Sequence, residues 1–496
     1  MRRALLTLAL LFTGTTSAIP QDIPQKFSMQ GSFGTVTMDG VQWQRFSFRP
    51  DIPIGKFGIG LDLELFLNEK GEFSREGWDF STRNRTWDTV LRKIYYVRWG
   101  NQFDPVYFRA GSLDEVTLGY GLIMDGYTNA LNYPAEKNTG IDISIQNVGT
   151  FGIGVRAMAN SLGDLKNDGI IAGGRVSARP LRMLSAPLAS AVTIGFTLVR
   201  DANQFAGLKD SDADGYPDFQ DGWPDDAEKW EDSDGDGFED AVDIDIDGDN
   251  VLDTEDPEVA LRDYLNIRRN RNGVTAAGFD VALPLIEDPV QLDIYGQYAR
   301  LQPGDDDLET GWGIGAPGIR LIAGPFLTQA EYRHFGGRFV SGYFDNLYDH
   351  ERVQLVGNAI IRKEMNIPDG SLDGFYGRMG YQLVDFVYAH AGYQYMTGDK
   401  TYQDISGVVR LLPGLLDMVP KLTVMEAYFY NRHVESGAYS LFEFTPNTLY
   451  GTRVGLSLGT GMSVVWSTRY TFTPKTGLGG LEKQRFISIE TVVMMN

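Results

Sequence analysis

Residues 210–221 read DSDADGYPDFQD: carboxylates at alternate positions, a glycine at the sixth place, then two aspartates at three-residue steps. The pattern D-x-D-x-D-G-x-x-D-x-x-D supplies Asp210, Asp212, Asp214, Asp218 and Asp221. It returns as Asp232, Asp234, Asp236, Asp240 and Asp243, and again as Asp245, Asp247, Asp249, Asp253 and Asp256. Gly215 and Gly237 hold the sixth place in the first two copies and Asn250 in the third, asparagine being a residue that tolerates the left-handed backbone a sharp turn needs. Carboxylates spaced in this way converge on one cation only where the chain curls around it. Ca²⁺ accepts roughly six to eight hard oxygen ligands in flexible geometry, whereas Mg²⁺ demands a stricter octahedron and keeps its water. The expected chemistry is therefore calcium binding in a structural role, because aspartates alone offer no nucleophile.

The three copies resemble thrombospondin type 3 calcium repeats, without the cysteines that accompany the animal versions. An EF-hand would want a glutamate at position 12 and flanking helices, but Asp221 is followed by Gly-Trp-Pro. The resemblance implies a compact calcium-cored loop with little regular structure. The competing reading is a solvated acidic loop, since clustered like charges repel. Calcium is accordingly expected to stiffen the segment and protect it from proteases.

The acidity is local. Between Gly207 and Arg262 stand 22 acidic residues and 3 basic ones, which accounts for most of the chain's net charge of −22. No basic patch supports nucleic-acid binding. The 496-residue chain contains no cysteine, which removes disulfides and thiolate metal sites. Residues 1–18, MRRALLTLALLFTGTTSA, have two arginines, a short apolar run and a small-residue end, the layout of a cleaved secretory signal. Beyond them no apolar run is long enough for a transmembrane helix, so any membrane insertion must use strands.

The elements around the acidic segment read as such strands. FGIGLDLELFL sets Phe57, Ile59, Leu61, Leu63 and Leu65 against Asp62 and Glu64; TGIDISIQN sets Ile141, Ile143 and Ile145 against Asp142, Ser144 and Gln146. The pattern recurs around Arg156, Asp293, His390 and Arg469. A soluble sandwich also alternates, but the number of segments and the aromatic residues near their ends favour a barrel whose apolar face meets lipid and whose polar face lines a lumen. The fold class expected is all-β, a transmembrane antiparallel β-barrel of about 20 strands (16–20) with an inserted calcium-binding segment. The boundaries are a signal peptide at 1–18, barrel strands within 19–206, the insert at 207–262 and further barrel strands within 263–496. Short and long connections alternate along the chain, as in barrels with short periplasmic turns and long outer loops. The insert falls where a long loop is due, which places it outside the cell.

The two-residue period directs Asp62, Glu64, Asp142, Asp280, Asp293, Glu331 and Glu426 into the lumen with Arg98, Arg109, Arg156, Arg175, Arg333, Arg378, Arg410, Arg453 and Arg469. Such a lining suits a water-filled channel, or it pairs across strands to hold the wall together. The connection 112–138 is too apolar for a free loop, and an inward fold that narrows the pore competes with an extra outer hairpin. The four histidines, His334, His350, His390 and His433, stand in no recognisable catalytic arrangement, so no enzyme is expected.

In architecture the chain resembles bacterial outer-membrane porin-like barrels, although it ends ISIETVVMMN without the terminal aromatic common among them. The resemblance implies a bacterial outer-membrane location, contact with lipid and passage of small solutes, with no nucleic-acid partner. The alternatives are a closed barrel serving as a calcium-dependent surface adhesin or receptor, with a partner bound through the insert, and a soluble secreted calcium-binding β-protein.

Overall fold

The computed structural model describes residues 28–495 apart from 39–40, 75–77, 82, 103, 132, 134–136, 165–168, 257–258, 260–261, 288, 306, 357–358, 436–439 and 476–479. The leader at 1–18 lies outside the described residues. Twenty antiparallel strands form one closed barrel. The first half comprises β1 (Ser28–Met38), β2 (Val41–Ile54), β3 (Phe57–Leu61 continued by Leu63–Leu67), β4 (Ile94–Trp99), β5 (Val106–Gly111), β6 (Gly140–Val148), β7 (Ile153–Ala159), β8 (Ile171–Ala178), β9 (Thr193–Asp201) and β10 (Val274–Ile286). The second comprises β11 (Val290–Pro303), β12 (Gly311–Ala323), β13 (Phe326–Gly336), β14 (Ser371–Leu383), β15 (Val387–Gly398), β16 (Thr401–Leu411), β17 (Leu422–Glu435), β18 (Thr448–Gly459), β19 (Met462–Pro474) and β20 (Leu481–Met495). Each pairs with its neighbours in sequence, and β1 closes the ring on β20 from Met29↔Met495 to Thr37↔Ile487. Closure leaves no open edge, so every strand's backbone groups have a ladder to join. Among the described residues no helix is long and apolar enough to cross a membrane.

Register follows from the alternation. On paired strands β9 and β10, Phe196 meets Phe279 and Ile194 meets Val281 on the outer face, all largely exposed, while Thr197 and Asp280 point inward and are buried. Ile143, Ile145, Val155, Val176, Ile319, Met379, Val454 and Trp466 continue the exposed apolar exterior around the ring. A one-residue slip would move these rows to the lumen and the charges to the outside, so the two-sided pattern fixes the pairing.

One end of the barrel carries the short turns, at 55–56, 149–152, 287–289, 324–325, 384–386 and 460–461, together with the start of β1 and the end of β20. The longer links at this end, 179–192 and 412–421, hold the small helices Pro187–Ala191 and Pro413–Leu416. The opposite end carries the long connections 68–93, 112–139, 202–273 and 337–370. The acidic segment belongs to this long-loop end.

Candidate functional site

Two long connections fold back into the barrel. In the first, 112–139, Val116 and Tyr127 exchange backbone hydrogen bonds of 2.8 and 3.0 Å, closing a lobe whose Leu118, Leu122, Ile123 and Met124 are buried. In the second, 337–370, Phe339, Val340, Tyr343, Phe344 and Tyr348 are buried with them. A short parallel ladder, Met124–Asp125 against Phe344–Asp345, joins the two lobes. Together they make a plug with its own hydrophobic core. The inward rows of the wall change character to meet it: along β11 Asp293, Tyr295 and Gln297 give way to Ala299 and Leu301, and along β13 Glu331 and Arg333 give way to Phe335. On β9 and β10, Thr197 and Asp280 are replaced toward the long-loop end by Val199, Ala276 and Val274. The inward fold of 112–138, one of two readings of the sequence, is what the chain adopts. The second lobe was missed, although FGGRFVSGYFDNLYDHERVQLV is dense in aromatic and aliphatic residues for a solvated loop.

Polar contacts fix the plug to the wall. Arg378 on β14 donates to Asp125 at 2.9 Å, and Arg432 on β17 lies 3.1 Å from Asp345, which is fully buried. Gln329 donates to the carbonyl of Tyr120 at 3.1 Å, and the Tyr120 ring stacks 3.8 Å from that of Tyr295. Arg156 donates to the carbonyl of Thr117 at 3.1 Å. At the other side of the lobe Tyr133 donates to Asp62, and Lys137 lies 2.8 Å from Asp62 and 2.5 Å from Glu64.

Beneath the plug a cavity of about 1480 Å³ reaches residues of the short-turn end, such as Gly100, Pro289 and Gly324. Its wall includes Tyr95, Tyr107, Tyr388, Tyr428 and Tyr430 with Arg98, Arg109, Arg410 and Arg469, and its roof includes Asp114, Glu115, Thr117 and Asp125. Half of the charges expected in the lumen pair with one another: Arg156 with Asp142 at 2.7 Å, Arg410 with Glu426 at 2.8 Å, Arg175 with Asp280 and Arg333 with Glu331. Asp293 pairs at 2.6 Å with Arg320, its register partner across β11 and β12, and Glu64 pairs with Arg45. Arg45, Arg49, Arg320 and Arg432 escaped the sequence reading, although each shares its strand's inward parity. Arg453 and Arg469 lie on the β18–β19 side of the lumen, where Arg453 is exposed. Of the histidines, His390 lines the cavity and His334 sits 2.7 Å from Asp373.

The acidic segment forms three successive turns of one design. In each, the first aspartate accepts from the backbone of the sixth residue: Gly215 N donates to Asp210, Gly237 N to Asp232, and Asn250 N to Asp245, at 3.1, 3.2 and 3.0 Å. The ninth-position aspartate clasps the entrance, accepting from Ser211 N, Ser233 N and Ile246 N at 2.7, 2.8 and 3.1 Å for Asp218, Asp240 and Asp253. The sixth residues have φ of 105°, 91° and 70°, and the fourth residues Ala213, Gly235 and Gly248 are also left-handed, at 61°, 81° and 67°. Within each turn three carboxylates offer oxygens within 4.8 Å of one another: Asp210, Asp212 and Asp214; Asp232, Asp234 and Asp236; Asp245, Asp247 and Asp249. Asp221 and Asp243 instead give one oxygen to the backbone N–H of Trp223 and of Asp245, while Asp256 N donates to Leu252 O. The other oxygen of Asp221, a buried residue, accepts no hydrogen bond. Burial, then the neighbouring charges of Asp214 and Asp221, pushes the Asp212 carboxyl up to about 7, and burial also raises Asp210, Asp214 and Asp221. Hard oxygens gathered on curled loops fit Ca²⁺.

No family model and no curated protein matches the chain. Solved structures similar to it include Pseudomonas aeruginosa OccK5 (OpdH), at 7% identity, covering 95% of this chain and 97% of that one with a TM-score of 0.33. The outer membrane protein OpdK of Pseudomonas aeruginosa is similar at 7% identity, with the same coverage and a TM-score of 0.29. Wzi of Escherichia coli, described as an outer membrane protein involved in group 1 capsule assembly, is similar at 11% identity over 99% of this chain and 87% of that one, with a TM-score of 0.29.

Proposed function

We propose that the chain is a bacterial outer-membrane channel for small polar solutes, with a lumen narrowed by its own loops and a calcium-stabilised segment displayed outside the cell. The observation that carries the channel reading is the closed ring of strands, apolar outside and charged within, around a water-accessible cavity of about 1480 Å³. An exterior of exposed phenylalanine, isoleucine and valine would be a liability in water and is what lipid requires. It also disfavours the soluble secreted reading. Long connections at one end and both described termini at the other support placing the acidic segment outside.

Calcium would be held by the three carboxylate triads, with Asp221 adding an uncommitted oxygen to the first. The ion would neutralise like charges that otherwise oppose the turn. The dense plug favours a second reading, a closed barrel used as a receptor or adhesin with a surface partner at the insert. Planar-bilayer recording of the refolded chain separates the two. Discrete conductance steps are expected of the channel, and a folded, heat-modifiable but silent barrel would leave the receptor. For calcium, protease cleavage within 207–262 should fall sharply when Ca²⁺ is added and return with chelator; unchanged cleavage would remove calcium from the account.

A further inference from the structure

The first acidic turn is bolted to the root of its own insert. Arg268 donates to the carbonyl of Asp214 at 3.1 Å and to that of Ala213, while Ile267 N donates to Gly215 O at 2.9 Å. Ile267 is fully buried, and its carbonyl accepts from the side chain of Asn203 at 2.7 Å. Next in the chain, Gln204 is also fully buried and reaches the plug, donating to Glu364 at 2.7 Å and to Tyr343 at 3.2 Å. Tyr343 is followed by Phe344, which forms the ladder with Met124 in the lobe roofing the cavity. A continuous run of hydrogen bonds and buried side chains therefore joins the turn to the constriction.

The second turn meets the root farther from the plug, at Tyr264. Trp230, beside the second, stacks on Tyr216, and Asp232 N donates to Tyr264, so that turn leans on the first. The backbone hydrogen bonds of the described residues join neither the second nor the third turn directly to 337–370. The most direct route from the insert to the plug runs through Asp210–Gly215 and Arg268.

We infer that occupancy of the first turn by a divalent cation holds the plug seated, making extracellular calcium a regulator of the pore; this rests on the calcium reading above. With the ion bound, the carbonyls of Ala213, Asp214 and Gly215 stand where Arg268 and Ile267 can dock. Without it, repulsion among Asp210, Asp212 and Asp214 opens the turn, releases Arg268 and loosens Asn203 and Gln204 against the second lobe. Coupling of this kind requires the two sites to bias one shared element, here the root segment 201–207 with 264–272.

The test measures calcium binding and single-channel conductance on the same refolded full-length chain, with Ca²⁺ and with chelator. Chelation is expected to raise conductance roughly fivefold, the lower end of ordinary allosteric coupling. Asp212→Asn should reproduce the chelated state in the presence of calcium. Asp234→Asn, in the second turn, should lower the calcium stoichiometry and weaken the conductance response less than Asp212→Asn does. Arg268→Ala should still bind calcium but lose the conductance response, with heat-modifiable migration confirming a folded barrel. Calcium bound and removed with no change in conductance would overturn the inference and leave the calcium reading standing. Absence of calcium binding would overturn both. An Arg268→Ala protein that responds as the wild type does would overturn the coupling route.

Discussion

At the residue scale, Asp212 ties the insert's chemistry to pH. Its carboxyl is raised to about 7 in the folded segment, against 3.8 ordinarily. A folded value above the unfolded one means that the fold retains the proton more tightly, so this contribution to the metal-free segment is fully present below the ordinary aspartate value and is lost as pH rises through about 7. Calcium takes the proton's place. Affinity should therefore weaken as pH falls through about 7, and calorimetry in buffers of differing ionisation enthalpy should register proton release on binding; a pH-independent affinity across that window would remove Asp212 from the site. Gly215 gives a second prediction. Its φ of 105° disfavours any side chain, and an added Cβ would lie 3.3 Å from Asn266 Nδ2. Gly215→Val should destabilise the first turn by roughly 1–2 kcal/mol, read as faster cleavage in the insert at fixed calcium, whereas an equal rate would show that the turn carries no such strain.

At the element scale, the plug behaves as a small domain grown from two loops. Val116 and Tyr127 already close the first lobe at its base, so residues 117–126 can be replaced by a short glycine turn without cutting β5 or β6. The shortened chain should insert normally and conduct more than the full one; equal conductance would show that the limiting constriction lies elsewhere. Arg378→Ala is a milder version, leaving Asp125 without its 2.9 Å partner, and should produce noisier openings at unchanged barrel stability. The inward position of 112–138 was only half legible because its hydrophobicity could equally have served an outer hairpin. The partner lobe was not legible, because period-2 reasoning does not rank residues between strands.

At the scale of the whole molecule, the exterior belt is the property that membrane insertion tests. Phe196 on β9 is exposed beside Phe279, and Phe196→Arg should cost roughly 2–4 kcal/mol if it lies near the bilayer midplane. Denaturant titration in lipid vesicles reads that cost, and a neutral result would mean that this face does not meet hydrocarbon. What the sequence determined by itself was what period and spacing govern: a barrel of about twenty strands, the faces of Asp62, Asp142 and Asp280, the spacing of the three aspartate turns and the end of the barrel on which they stand. The faces and the aspartate spacing depend on residues no more than eleven places apart, and the strand count and the end of the barrel on the succession of strands and connections along the chain. Only the tertiary structure decided which charges meet, that two loops separated by almost two hundred residues share one core, and that Arg268 and Gln204 link an outer turn to the lumen. Those contacts depend on ring closure, which brings distant connections over one opening, and no local pattern carries the distance between them.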